Sequence, residues 1–198
     1  KGTRMTSCKP KALQTLAGRT LIEHILGTSD EASIDKVIII HSPEAKKDFE
    51  KTTGINRKIT YVKQEEALGT AHALKTALPY VTSDNLLVLL GDVPLLSRQT
   101  IEKLKKQTLG NDLVVLTGEV SNPSGYGRIV KDKDGKPMAI IEELDCDEEQ
   151  REIKEINSGI MAFKTKAAKN LVERIKPNPK KNEYYLTDAI EIAYHEGL

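Results

Sequence analysis

The chain alternates short apolar runs with longer amphipathic stretches, and this alternation predicts its secondary structure. Apolar runs rich in leucine or β-branched residues predict strands at residues 37–40, 59–62, 86–90 and 113–116. Apolar residues at helical spacing predict helices that start near Thr20 and Ser42, and further helices at 70–78 and 97–107. Strands that alternate with helices form a mostly parallel sheet with right-handed crossovers, so the predicted fold class is α/β.

The pattern changes after Asn122. A turn at residues 133–136 separates the apolar segments 128–131 and 138–142, which predicts a β-hairpin. The acidic stretch 145–155 is typical of a solvated loop or a helical turn, and a cation-binding role is the alternative. The remaining predicted elements are a strand at 156–163, a helix at 167–175 and a last helix at 187–196.

The stretch from Leu86 to Pro94 is the first candidate for ligand chemistry. Its apolar run ends at Gly91 and Asp92, so a buried strand would deliver a carboxylate to the sheet edge where open α/β sheets bind ligands. Gly91 lets a ligand approach the backbone, and Asp92 offers oxygen ligands that suit Mg²⁺ carrying phosphates. The alternative is an aspartate that caps a turn after a core strand.

Composition narrows the function classes. Lys plus Arg number 30 against 29 Asp plus Glu, so no overall basic field draws the chain to nucleic acid or to an anionic membrane. Cys8, Cys146 and the histidines form no metal-ligand spacing. The longest apolar run is far shorter than the ~20 residues of a transmembrane helix. We therefore expect neither nucleic acid nor a membrane among the partners.

Residues 1–11 are candidates for phosphate binding. Gly2 and Thr3 stand between the cations Lys1 and Arg4, and such a segment can wrap a polyphosphate with backbone amides while the arginine binds it bidentately. Lys11 could contact the same phosphates or belong to a solvated loop, and both interpretations stay open.

Two further segments have the composition of ligand-binding loops. Gly69 and Thr70 open a predicted helix, which suits either an N-cap or the close approach of a ligand. Gln64 carries both the donor and the acceptor needed to bind a pyrimidine edge. Gly125 and Gly127 flank a tyrosine, so main-chain amides could approach a polar ligand there, or the segment could be a tight turn before a strand.

The order and spacing of eight motifs are specific together, although each is modest alone. They are Lys1-Gly-Thr-Arg-Met5, Pro10-Lys11, Gln64 with Leu68-Gly-Thr70, Gly91-Asp-Val-Pro94, Gly125-Tyr-Gly-Arg-Ile129, Ile141-Glu142, Glu155-Ile-Asn-Ser-Gly159 and Glu183-Tyr-Tyr-Leu-Thr-Asp188. The set resembles the sugar-nucleotide pyrophosphorylases, and most closely the uridyltransferase domain of the bacterial bifunctional N-acetylglucosamine-1-phosphate uridyltransferase/glucosamine-1-phosphate acetyltransferase. The resemblance implies a Rossmann-like, mostly parallel sheet flanked by helices, of the nucleotide-diphospho-sugar transferase type, with a β-hairpin subregion that binds the sugar.

The resemblance also implies roles for individual residues. Arg4 and Lys11 are the expected catalytic cations, which contact the triphosphate. The expected nucleotide-binding residues are Gly2, Thr3, Lys11, Gln64, Gly69 and Thr70. The expected sugar-binding residues are Gly127, Glu142, Asn157, Tyr185 and Thr187. Asp92 is expected to bind Mg²⁺, the one cofactor, and the family's second metal ligand, an asparagine, is expected beyond Leu198.

The implied reaction transfers a uridylyl group from UTP to N-acetylglucosamine-1-phosphate and releases pyrophosphate. A phosphate with a second pKa near ~6 is ionised at neutral pH, so no general base is needed. Catalysis then consists of positioning and charge neutralisation. A chain without an organised histidine or nucleophile can therefore still be an enzyme.

The family organisation implies one nucleotidyltransferase domain over residues 1–198, with a nucleotide-binding part at 1–120 and a sugar-binding part at 121–198. A strand is expected before Lys1, and a left-handed β-helix domain is expected after Leu198. The chain would then be a fragment, monomeric by itself and homotrimeric as a full-length protein, and the family places it in the bacterial cytoplasm.

Two other functions stay open. A transferase for another nucleotide or hexose phosphate would keep the same fold. A non-catalytic nucleotide-sugar sensor would also keep the fold, but a sensor has little need of Arg4, Lys11 and Asp92 around the reacting phosphorus.

Overall fold

The computed structural model describes residues 9–53 and 58–198, which fold as two compact units. The first unit comprises Lys1–Ala67 and Leu89–Lys106, as far as these are described, and the second comprises Leu68–Val88 and Gln107–Leu198. The chain therefore leaves the first unit, returns to it and leaves it again. The expected division at residue 120 separates a nucleotide-binding part from a sugar-binding part. It refers to bound ligands, so it stays a prediction.

Nine strands and seven α-helices lie within the described residues. The strands are β1 (Thr15–Leu16), β2 (Arg19–Thr20), β3 (Val37–His41), β4 (Ile59–Lys63), β5 (Asn85–Val88), β6 (Leu113–Glu119), β7 (Arg128–Lys131), β8 (Pro137–Ile141) and β9 (Glu155–Lys164). The α-helices are α1 (Leu21–Glu31), α2 (Lys46–Thr53), α3 (Thr70–Ala77), α4 (Arg98–Thr108), α5 (Glu148–Arg151), α6 (Thr165–Arg174) and α7 (Asp188–His195). Every strand and helix that the sequence pattern predicts within the described residues is present, whereas β1 and β2 were not predicted. Across this described part of the chain, every helix is too short or too polar to span a bilayer.

The start of α1 is confirmed as a capping box. The Glu23 N–H donates to Thr20 Oγ1 at 3.3 Å, and the Thr20 N–H donates to Glu23 Oε2 at 2.7 Å. The box pairs two backbone donors that a helix start otherwise leaves open. The apolar face of α1 then packs Ile22 and Leu26 into the core of the first unit together with Leu13.

The first unit contains the parallel pairing that the sequence predicts. β3 and β4 run in parallel, with Val37 opposite Ile59 and His41 opposite Lys63. A parallel pair needs a crossover connection, and α2 lies in it.

The second unit is built around β9. β5 and β6 both pair with β9 in the antiparallel sense, and Val88 and Val115 both lie opposite Met161. Two strands that are antiparallel to the same strand point the same way, so β5 and β6 have the relative direction that their helical crossover predicts. Because β9 lies between them, they form no ladder with each other, and β3 with β4 is the parallel pair among the described strands. The α/β class is confirmed, with more antiparallel pairing than expected.

The predicted hairpin is confirmed as β7 and β8, with Arg128 opposite Ile141. Ile129 and Ile140 of the hairpin belong to the same buried cluster as Ala189 of α7. At the hairpin turn, the Tyr194 hydroxyl donates to Asp132 Oδ2 at 3.1 Å. The hairpin and α7 are therefore joined by both apolar and polar contacts.

Candidate active site

Lys11 and Asp92 lie in contact within the first unit. Lys11 Nζ lies 2.5 Å from Asp92 Oδ2 and donates a hydrogen bond to it. The two side chains are 50% and 34% exposed, so solvent and ligands can reach both. Two residues whose roles the sequence suggested separately thus form one accessible ion pair, which we call the Lys11–Asp92 pair.

Local structure positions both members of the pair. β5 ends at Val88, earlier than the predicted strand, and Asp92 follows it in a turn closed by the Val93 N–H and the Leu90 carbonyl at 3.1 Å. Lys11 begins a short 3-10 helix, Lys11–Leu13, which Leu13 anchors in the core.

Glycine at position 91 allows these two segments to approach each other. A Cβ built on Gly91 would lie 3.0 Å from the Cβ of Ala12, which is tighter than ordinary packing. A side chain at this position would therefore push the turn away from the helix that carries Lys11.

Asp92 fits a magnesium ion that arrives with a nucleotide. Among the described residues, no group of three or more His, Cys, Asp or Glu side chains could hold a metal ion. Mg²⁺ is commonly bound by one or two carboxylates and completes its coordination with phosphate oxygens and water. A single exposed carboxylate beside a lysine suits that arrangement better than it suits a permanently bound metal.

The segment around Gly69 and Thr70 is a close backbone contact in the second unit. The Tyr184 N–H donates to the Leu68 carbonyl at 2.7 Å, and the Leu186 N–H donates to Thr70 Oγ1 at 3.0 Å. Gly69 has a φ of +98°, and a Cβ built on it would lie 2.5 Å from the Tyr184 carbonyl oxygen. Glycine is therefore required here by packing and backbone conformation, and its expected contact with the base stays a prediction.

Gln64 lies in the first unit, directly after β4. Its backbone N–H donates to the His41 carbonyl at 2.9 Å and so extends the contact between β3 and β4. Its expected role in binding the base also stays a prediction.

The structure brings together four of the five predicted sugar-binding residues, Gly127, Glu142, Asn157 and Thr187, which we call the hairpin cluster. Thr187 Oγ1 donates to Glu142 Oε1 at 3.3 Å. A Cβ built on Gly127 would lie 3.6 Å from the same Oε1 atom and 3.0 Å from the Ile140 side chain. Thr187 stands at the N-cap of α7, yet its hydroxyl makes no capping bond, because it is directed to Glu142.

Asn157 joins the cluster through its backbone. Its N–H donates to the Gly127 carbonyl at 2.9 Å, and its Oδ1 accepts the Gly159 N–H at 2.9 Å. The latter bond stabilises the φ of +78° at Gly159. With Oδ1 engaged, the Nδ2 donor is the part of the side chain suited to a ligand.

Tyr185, the fifth predicted sugar-binding residue, is half-buried near the N-terminus of α7. Its carbonyl accepts the Asp188 N–H at 3.2 Å, and Lys181 Nζ lies 6.0 Å from the centre of its ring. These contacts place Tyr185 beside the helix that carries Thr187, without a described contact to Glu142.

Acidic side chains dominate the electrostatics of the hairpin cluster. Burial raises the pKa of Glu142 above its ordinary value. Burial, together with the charges of Glu191, Glu142 and Asp145, raises the pKa of Asp188 to about 6. Asp188 was not predicted as a site residue, although it ends the motif that supplied Tyr185 and Thr187.

Sequence reasoning also missed Arg128 and Glu143. Arg128 is only 1% exposed, and its Nη2 lies 2.7 Å from Glu143 Oε2. The hydrogen bond from Arg128 has the largest effect and the one from the Gly125 N–H the next largest, and together they hold the pKa of Glu143 below its usual range. The available signal was an arginine inside the Gly125-Tyr-Gly-Arg-Ile129 motif, where a solvent-exposed residue would be the default expectation.

Gly2, Thr3 and Arg4, the remaining predicted phosphate-binding residues, lie outside the described residues.

A profile of the MobA-like NTP transferase domain family matches residues 1–153. Curated relatives that are 45% identical over 195 residues include the bifunctional protein GlmU of Francisella tularensis subsp. novicida and of subsp. tularensis. These alignments cover 98% of this chain but only 42% of each relative, so the chain spans about two fifths of their length.

Solved structures show the same fold at low sequence identity. A UDP-glucose pyrophosphorylase complexed with UDP-glucose matches with a TM-score of 0.75 and 18% identity, covering 94% of this chain and 79% of that one. HddC from Yersinia pseudotuberculosis matches with a TM-score of 0.68 and 19% identity, covering 93% and 76%. These matches confirm the nucleotide-diphospho-sugar transferase fold.

Proposed function

Because the chain belongs to the family of MobA-like NTP transferase domains, we propose that it transfers a uridylyl group from UTP to N-acetylglucosamine-1-phosphate and releases pyrophosphate. The observation that carries the proposal is the Lys11–Asp92 pair, with Nζ 2.5 Å from Oδ2. A cation and a carboxylate within reach of solvent are what the phosphates of a magnesium nucleotide require. The motif resemblance supports UTP and the N-acetylated sugar as the substrates.

The proposed chemistry needs only binding, orientation and charge neutralisation. An oxygen of the sugar phosphate attacks the α-phosphorus of UTP, the new P–O bond forms, and the bond to pyrophosphate breaks. Lys11 neutralises charge on the phosphate oxygens, and Arg4 is assigned the same task. Mg²⁺ held by Asp92 would supply further charge neutralisation.

Lys11 is available for this task because its present partner is exposed. Exposed ion pairs stabilise proteins by only about 0–1 kcal/mol, so separating Lys11 from Asp92 costs little. A phosphate can therefore replace the carboxylate as the partner of Lys11.

We assign the N-acetylglucosamine moiety to the hairpin cluster and Tyr185. Glu142 offers a carboxylate acceptor and Asn157 an amide donor, and both types of group bind sugar hydroxyl and acetamido groups. Gln64, Gly69 and Thr70 are assigned to the uracil, and Gly2 and Thr3 to the phosphates. A bacterial cytoplasmic location, a monomeric fragment and a trimeric full-length protein are further predictions that rest on the motif resemblance.

Pyrophosphate release tests the proposal. The common nucleoside triphosphates are combined with a panel of sugar-1-phosphates, with Mg²⁺ and with EDTA as control. We expect the highest kcat/KM with UTP and N-acetylglucosamine-1-phosphate, and loss of release in EDTA. Release with a different pair would identify another sugar nucleotide. Binding of UDP-N-acetylglucosamine without release from any pair would show a sensor.

A further inference from the structure

The turn that supplies Gly127 is held by an ion pair between the buried Arg128 and the partly exposed Glu143. Arg128 Nη2 donates to Glu143 Oε2 at 2.7 Å, and Arg128 Nη1 donates to the Tyr126 carbonyl. The same Glu143 Oε2 accepts the Gly125 N–H at 3.0 Å. The two side chains thus fix backbone groups of two successive residues in the turn.

These contacts connect the start of β7 with the segment that follows β8, at the open end of the hairpin. Arg128 begins β7, and Glu143 follows Glu142 directly after β8. Glu142 binds Thr187, while the adjacent Glu143 binds the turn. The Arg128–Glu143 contact therefore adds to the β7–β8 pairing in fixing the position of Gly127 relative to Glu142.

Stability alone is a poor explanation for this arrangement. Arg128 Nε is buried and makes no hydrogen bond with any described residue. A buried donor without a partner is unfavourable, and burying the Arg128 guanidinium costs hydration free energy. Arginine is nevertheless suited to the geometry, because its planar guanidinium reaches two acceptors in fixed directions.

We propose that Arg128 and Glu143 are positioning residues that shape the Gly125–Gly127 turn for the sugar-1-phosphate substrate. This inference rests on the proposed function, and it concerns affinity for the sugar phosphate rather than for the nucleotide. Neither side chain needs to touch the substrate, since both act through the backbone of the turn.

Glu143→Ala tests the inference, with Asp112→Ala as the matched control. Asp112 Oδ1 lies 3.2 Å from Lys164 Nζ in the same unit, and its exposed fraction of 37% resembles the 31% of Glu143. We expect Glu143→Ala to raise KM for N-acetylglucosamine-1-phosphate about tenfold, which equals about 1.4 kcal/mol of binding, and to change KM for UTP less than about twofold. Asp112→Ala should leave both constants unchanged.

Arg128→Lys adds a test of geometry. Lysine keeps the charge but cannot bind two acceptors in fixed directions, so it should show the same selective rise in KM. Arg128 is buried and its variants risk misfolding, so Glu143→Ala decides the question if Arg128→Lys does not fold. Unchanged KM values in Glu143→Ala, or an equal rise for both substrates, would overturn the inference.

Wild-type activity separates this inference from the proposed function. Absence of pyrophosphate release from every pair in the wild type would overturn the proposed function. The hydrogen-exchange rate of the Gly125 amide would then test whether Glu143 holds the turn. Exchange at least about tenfold faster in Glu143→Ala than in Asp112→Ala would support it, and equal rates would overturn it.

Discussion

The Lys11–Asp92 pair and the Arg128–Glu143 pair have the same chemistry but differ in the exposure of the cation, while their carboxylates, 34% and 31% exposed, are alike. Lys11 is 50% exposed, whereas Arg128 is 1% exposed. An exposed pair contributes about 0–1 kcal/mol and exchanges partners easily, whereas a buried guanidinium has lost its hydration and depends on its protein partners. Burial of the cation therefore decides whether such an ion pair can open for a ligand or holds the backbone in place.

The two pairs also differ in their contacts with the backbone. The hydrogen bond of the Lys11–Asp92 pair joins two side chains. The Arg128–Glu143 pair binds the Tyr126 carbonyl and the Gly125 amide. We therefore expect changes in the first region to affect activity, and changes in the second unit to affect shape and stability as well.

Lys11→Ala should give the largest effect. Loss of a cation that stabilises a transferring phosphoryl group costs about 10³-fold or more in turnover. The free energy of unfolding should change by less than about 1 kcal/mol, because the pair is exposed. Turnover and urea unfolding are measured with Lys46→Ala as control, since Lys46 Nζ lies 3.5 Å from Glu50 in another exposed pair of the same unit. A large loss of stability in Lys11→Ala would break the comparison.

Gly69→Ala should be the most destabilising of the changes in the second unit. Its Cβ would meet the Tyr184 carbonyl oxygen at 2.5 Å, and its φ of +98° is unfavourable for alanine. We expect a loss of about 3–5 kcal/mol, the sum of overpacking and backbone strain.

Gly135→Ala is the control, because Gly135 has a φ of +80° but no atom near its added Cβ. It should cost only about 1–2 kcal/mol. Equal melting temperatures for the two variants would mean that the contact with Tyr184 can relax.

Asn157 variants separate shape from binding within the hairpin cluster. Asn157→Ala loses both the acceptor for the Gly159 N–H and the amide donor, whereas Asn157→Asp keeps the acceptor. An unpaired polar group costs ~1–3 kcal/mol. Both variants should raise KM for the sugar phosphate about tenfold and leave KM for UTP little changed. Only Asn157→Ala should lower the melting temperature, and an equal rise of both KM values would contradict the assignment.

Asp188→Asn should give the smallest effect, and it should depend on pH. The folded pKa of about 6 lies above the ordinary value of 3.8, so the folded protein binds this proton more tightly than the unfolded chain. The stabilising contribution is therefore fully present below about pH 3.8 and is lost as the pH rises through about 6.

Asparagine removes this pH-dependent cost. At pH 7.5 we expect Asp188→Asn to be more stable than the wild type by about 1–2 kcal/mol, since partial exposure reduces the full value of the shift. The difference should shrink toward pH 4 in urea unfolding experiments. A difference that does not vary with pH would show that burial of Asp188 is not the cause.

The order of the elements and the family were predictable from the sequence. Within the described residues, each strand and helix that hydrophobic periodicity predicted is present, and Thr20 with Glu23 marked the start of α1 correctly. β1 and β2 were missed because strands of two residues carry no periodic signal. The motif resemblance was confirmed by the matching family and relatives.

The candidate site was only partly predictable. Lys11 and Asp92 were named separately, and their contact across 81 positions became visible only in the fold. Arg128, Glu143 and Asp188 were missed, because whether a charged side chain is buried depends on the elements that cover it.

The sequence by itself determined most of the secondary structure, the family and most residue types of the candidate site, because periodicity and motif spacing are local properties of the chain. The tertiary structure alone decided the insertion of β9 between β5 and β6, the burial of Arg128 and the pairing of Lys11 with Asp92. These features depend on which distant surfaces pack together. Packing is set by complementary shape and burial across the whole unit, and a local pattern does not encode it.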